Sequence, residues 1–244
     1  MRGEQHVFFS LLSAAVFFPL IYGRVEDILL IPAVFGIFIG SLAPDADAAD
    51  SAIMHGLMGG RGGARKLRRH TVLILPVFGY IIRYFIYYPV SLLVYIFTLG
   101  RIRPKHRGLL HSMLGIAAAS VLLWVYICIA SKLITNDFMT VSIPAGVFCA
   151  GVLSGSFLHL LEDSCTHEGV FWLFPLSCTK VSGTVAPGSR RYWLIALVIG
   201  VTAVMALFFA LDRSIKNTTE IILPFVLFVF EWSAVFLISG VHRG

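Results

Sequence analysis

The sequence predicts an all-α membrane protein of about six transmembrane helices plus one re-entrant or interfacial hydrophobic segment. Together these form a single integral membrane domain over residues 1–244. Three observations carry this expectation. Hydrophobic residues make up 58% of the chain and charged residues 13%, with a mean hydropathy of +0.87; soluble domains run at about 45–50% and about 25%. Six apolar runs approach the roughly 17–25 residues that a helix needs to cross a bilayer. Once those runs are laid across a membrane, the basic residues collect on one side.

The first run covers residues 7–22. The stretch "FFPLIYGRVED" offers no small-residue cleavage site, so this run reads as an uncleaved span. A second run, 28–43, returns after "GRVED". Residues 45–70 are the longest polar insert, and their "GGRGGARKLRRH" reads as loop. Residues 71–99 are apolar but carry Arg83, several tyrosines, Pro76, Gly79 and Pro89, so this segment is expected to dip in and return, or to lie along the interface. Full spans follow over 109–131, 141–161, 192–211 and 221–241. The last two, within 192–241, form a C-terminal hairpin beyond the motif-bearing part, 1–177.

This arrangement places Arg2, Arg61, Arg65, Lys66, Arg68, Arg69, Arg101, Arg103, Lys105, Arg107, Lys180, Arg190, Arg191 and Arg243 on the face that holds the N-terminus. Only Arg24, Lys132, Arg213 and Lys216 fall opposite. Positive-inside bias makes the first face cytoplasmic, in a cell membrane. A single crossing by 71–99 would divide the basic loops far more evenly. No Lys/Arg run is interleaved with exposed aromatics, so nucleic acid is not an expected partner. The four cysteines have neither zinc nor disulfide spacing, and Cys128 and Cys149 read as small hydrophobes within apolar runs.

Four polar clusters fall on the cytoplasmic face, each at the end of an apolar run. His6 opens the first run, and Asp45 and Asp47 in "APDAD" close the second. His106 and His111 in "HRGLLHS" open the run from 109, and His159 and Asp163 in "HLLED" close the next. His159 and Asp163 are four apart and share a helix face. Ionisable groups at membrane depth are costly and mark function. Imidazole with carboxylate suits zinc, with manganese or iron as alternatives. Seven side chains exceed one tetrahedral ion and suit one or two, a pair about 3.5–4 Å apart being an arrangement that clamps a phosphoester. Arg107 reads as a clamp for an anionic substrate group. Asp163 or Glu162 is expected to move the proton, while His55, His70 and His167 read as solvated loop residues.

Taken in order, "GEQHVFFS", "LAPDADAAD", "HRGLLHS" and "GSFLHLLEDSCTHEGVFWLFPLS" resemble the YdjM-like family of inner-membrane proteins, expected to be metal-dependent hydrolases. The resemblance implies His6, Asp45, Asp47, His106, His111, His159 and Asp163 as metal ligands. The chain departs from the pattern at Ala48, where a histidine is usual, and at Leu110, where threonine is common. The expected function is hydrolysis of a phosphoester or lipid bond at the cytoplasmic interface, with membrane lipids as partners and an anionic or lipid substrate. The alternative is a transporter or metal-handling protein using the same cluster. A transporter favours internal repeats and mid-membrane polar groups; this chain has no evident repeat and gathers its polar groups at run ends.

Overall fold

A computed structural model describes residues 2–21, 24–55, 74–101, 107–136, 138–211 and 218–244. The chain opens with α1 (Gly3–Ala15), a four-residue α2 (Phe18–Ile21) and α3 (Asp27–Gly40). A tight 3-10 turn over Ala43–Asp47 leads to the short α4 (Ala52–His55). Next comes one rod in three parts: α5 (Ile74–Tyr80), a π-helical stretch (Ile81–Tyr87) and α6 (Tyr88–Phe97). Two long helices follow, α7 (Met113–Thr135) and α8 (Met139–Ser164), and then α9 (Arg190–Leu211) and α10 (Thr218–Ser239). Two short strands, β1 (Val181–Ser182) and β2 (His242–Arg243), pair antiparallel and tie the chain end to the segment after α8.

Five helices among the described residues are long and apolar enough to cross a membrane: Leu75–Phe97, Met113–Thr135, Thr140–Ser164, Arg190–Leu211 and Ile221–Ser239. The set differs from the expected one in two places. The first two apolar runs give helices of only 13 and 14 residues, which at 1.5 Å per residue extend about 20 Å. α1 stops early because Pro19 cannot donate to the helical ladder and crowds the residue before it. The segment expected to dip in and return, or to lie along the interface, forms one continuous helical rod. Its Pro76 lies in the first turn, where no intrahelical N–H is needed. Pro89 leaves the Phe85 carbonyl without its donor four residues on, and Tyr126 of α7 supplies one at 2.9 Å.

Packing centres on α8. Gly36 and Gly40 of α3 face Gly151 and Gly155 of α8, each pair four apart and therefore on one helix face. A Cβ at Gly36 would lie 2.1 Å from the Phe148 carbonyl oxygen, and one at Gly155 would lie 2.2 Å from that of Ile37. Backbones this close are the small-residue packing of membrane helices, where dispersion rather than water drives association. The contact brings the end of α3 onto α8: Ser156 Oγ donates to the Gly40 carbonyl at 3.0 Å.

A core of Ile39, Leu42, Ile82, Leu123, Phe148 and Val152 fills one flank of α8. A second, with Phe9, Leu158, Ile199, Trp232 and Val235, joins its other flank to α1 and the α9–α10 hairpin. The hairpin is pinned by a buried polar node. Ser13 and Thr202 donate to the two oxygens of Glu231, and Trp232 Nε1 donates to Ser13 Oγ at 2.9 Å. Cys128, Cys149 and Cys165 are buried as free thiols, and Cys178 is exposed.

Candidate metal centre

Each site side chain is set by its local structure. Ser112 caps α7, accepting from the Gly115 N–H at 3.1 Å and donating to the Leu109 carbonyl at 2.7 Å. This fixes the turn just ahead of the helix, where His111 is wholly buried. Arg107 adopts φ of +61°, the left-handed region, and its N–H donates to Asp47 Oδ2 at 3.1 Å. Asp45 and Asp47 sit two apart in a 3-10 turn of about three residues, so they diverge rather than point together. Asp45 reaches His111 Nε2 at 3.5 Å, while Asp47 approaches His111 Nδ1 at 3.9 Å. The two carboxylates hold one imidazole from opposite edges.

On α8, His159 Nε2 and Asp163 Oδ2 stand 3.7 Å apart, as their i, i+4 spacing dictates. His159 Nδ1 donates to the Ser41 carbonyl at 2.8 Å, which turns its Nε2 lone pair toward Asp45, 3.8 Å away. His6 stacks on His159 with ring centroids 4.0 Å apart. Its Nδ1 donates to Glu162 Oε2 at 2.6 Å, and its Nε2 lies 3.6 Å from Asp163 Oδ1. Ser10 Oγ donates to the other Glu162 oxygen at 2.8 Å. The structure therefore gathers His6, Asp45, His111, His159 and Asp163 at one end of the bundle, with Asp47 and Glu162 behind them. His106 lies outside the described residues.

Two overlapping groups are able to hold a metal ion: His6, His159 and Asp163, and Asp45, His111 and His159, with the ligand atoms of each within 4.8 Å of one another. His159 Nε2 is buried with no hydrogen-bond partner among the described residues, and the buried Asp163 carboxylate is met by the Arg107 ion pair at 3.1 Å. Orphaned buried groups of this kind are expensive. Two ligands about 2.0–2.1 Å from one tetrahedral zinc lie about 3.3 Å apart; the 3.5–3.8 Å spacings here are too long for hydrogen bonds and near that edge. Ring nitrogens facing away from the cluster donate to a carbonyl (His159) and a carboxylate (His6), the outer-shell pattern of metal-ligating histidines. The residues fit a divalent cation. Burial alone would raise the Asp45 carboxyl, but His159, His111 and His6 around it hold it below the ordinary carboxylate range.

Two sequence-based roles look different in the fold. Glu162, expected as a proton carrier, is 2% exposed and accepts from His6 at one oxygen and from Ser10 at the other, a placement suited to orienting His6. Arg107 already carries anions: its Nη1 lies 3.1 Å from buried Asp163 and its Nη2 2.9 Å from exposed Glu168. Ser10, Ser41 and Glu168 were not singled out from sequence. His6, Ser10 and Ser13 follow i, i+4, i+7 spacing, a polar stripe on an apolar helix that could be read directly. Replacing Glu162 with Gln is expected to lower metal affinity roughly 10–100-fold with the fold intact. Titrating zinc against a competing chelator dye measures this, and an unchanged affinity refutes the orienting role.

The apolar bundle, with a buried His/Asp cluster at one end, defines an integral membrane protein carrying a candidate metal centre. The chain belongs to the YdjM inner membrane protein family, whose family model matches residues 1–239 and so takes in the C-terminal hairpin as well as the motifs. No curated protein and no solved structure matches the chain significantly.

Proposed function

We propose that the protein is a membrane-embedded, metal-dependent hydrolase of a phosphoester or lipid bond, with its centre at the cytoplasmic face. The observation that carries this reading is the pair of ligand groups sharing His159, whose buried Nε2 has no hydrogen-bond partner among the described residues and lies 3.7–3.8 Å from Asp45 and Asp163. His6, Asp45, His111, His159 and Asp163 hold one or two divalent cations, zinc being the first choice for a donor set of imidazole and carboxylate without thiolate. A cation there polarises a phosphoryl oxygen and lowers the pKa of water. The remaining work belongs to the protein. Asp47 and Glu162 fix the ring orientations of His111 and His6. Asp45, whose side chain is 21% exposed, is the cluster carboxylate that reaches outward to the entering substrate. Arg107, anchored on Asp163, gives its second nitrogen to an anionic substrate group in place of Glu168. The cytoplasmic placement rests on the excess of basic residues flanking the motif-bearing run ends.

The test is hydrolysis of phosphoester substrates, lipid and water-soluble, by detergent-purified protein loaded with zinc or manganese. Turnover that is abolished by chelator and restored by metal supports the reading. Tight metal binding without turnover of any phosphoester or ester overturns it in favour of ion handling.

A further inference from the structure

The π-helical stretch Ile81–Tyr87 packs against the Ala43–Asp47 turn and sets a cation beside the centre that the mechanism above does not use. Ile82, Ile86 and Tyr87 are buried in the bundle, so the neighbouring Arg83 projects from the flank of the helix. Arg83 Nε donates to Tyr88 Oη at 3.4 Å, and its guanidinium lies 5.9 Å from the centre of the Tyr88 ring. Its Nη1 is buried and has no hydrogen-bond partner among the described residues. Outside it runs a ladder of Tyr80, Tyr84 and Tyr88, four apart, with ring centroids 5.9 and 5.5 Å apart. These rings are 50%, 53% and 44% exposed on a helix otherwise faced with Val77, Phe85 and Leu92.

A guanidinium on an apolar helix is costly and persists for a task. Exposed tyrosines of this kind settle at headgroup level, where one end of the ring is apolar and the other wet. The Arg83 side chain is half-buried, and its planar fork, bonded at Nε to Tyr88, keeps its other N–H donors for a phosphate. We propose that Arg83 and the tyrosine ladder bind the phosphate of an anionic phospholipid, which reaches the metal centre sideways from the bilayer. This rests on the hydrolase reading only in making that lipid the substrate; the binding site stands on its own geometry.

The experiment uses the full chain in detergent, treated with chelator, and titrates it with mixed micelles carrying fluorescent phosphatidic acid or phosphatidylcholine. Wild type is expected to prefer phosphatidic acid. Arg83→Gln should weaken that binding about 10-fold, the scale of one charge-assisted contact, and Arg83→Lys should recover part of it. Unchanged elution volume and metal content in Arg83→Gln separate lost contact from lost fold. Equal binding by wild type and Arg83→Gln overturns the proposal, as does displacement of the lipid by inorganic phosphate at matching concentration. Because binding is read without metal or turnover, a failure of hydrolysis leaves this result intact, and loss of Arg83 dependence leaves the metal assay intact.

Discussion

His159→Ala is expected to yield a folded protein that retains no stoichiometric metal and hydrolyses nothing. His159 is the one side chain common to both ligand groups, so its removal opens both together, unlike the loss of His6 or His111. The effect should exceed the roughly 10–100-fold that loss of an outer-shell partner costs. The substitution also frees the Ser41 carbonyl, which accepts from His159 Nδ1, and leaves Asp45 and Asp163 without the imidazole between them. Elemental analysis of the monodisperse fraction, beside wild type, measures the outcome. Wild-type metal content in the variant would place the ion elsewhere and remove the basis of the proposed chemistry.

Gly155→Leu is expected to be among the most damaging apolar changes in the bundle. Core overpacking typically costs about 1–3 kcal/mol because side chains can shift rotamer. Here a Cβ meets the Ile37 carbonyl oxygen at 2.2 Å and the Ser41 nitrogen at 2.8 Å, and backbone atoms have no rotamer to change. α3 and α8 must part, so the cost should lie above that range. Separation also carries Ser41 away from His159, so metal should be lost along with thermal stability in detergent. Gly200→Leu on α9 is the control, because nothing stands within 4 Å of a Cβ there; it should leave both properties near wild type. Equal behaviour of the two variants would mean that the α3–α8 contact does not hold the bundle together.

The sequence made the ends of the apolar runs legible, and with them most of the centre. An ionisable residue at such a boundary has few cheap explanations, so His6, Asp45, His111, His159 and Asp163 stood out before any contact was known. Asp47 and Glu162 were legible as participants, but not the neighbours they meet. Whether a carboxylate faces the middle of the cluster or the back of an imidazole depends on the rise of a 3-10 turn, or on a partner 156 residues away. The length of α1 was misjudged because apolar content was counted without weighing Pro19, and that of α3 because its last apolar residues turn into the Ala43–Asp47 3-10 segment. The α3–α8 contact escaped notice although Gly36, Gly40, Gly151 and Gly155 announce it, since hydropathy scores glycine near neutral and hides its spacing. The rod over Leu75–Phe97 looked broken because the donor that rescues Phe85 belongs to Tyr126, on another helix.

The pairing of His6 with Glu162 also bears on biogenesis. His6 precedes its carboxylate partner by 156 residues, and Glu162 emerges only with the end of α8. At about 5–20 residues per second, that separation takes roughly 8–30 seconds to synthesise, and for that time the imidazole lacks Glu162. The centre therefore closes only once α8 has been made and has packed against α1 and α3. A chain with α8 inverted would carry His159 and Asp163 together away from His6, Asp45 and His111.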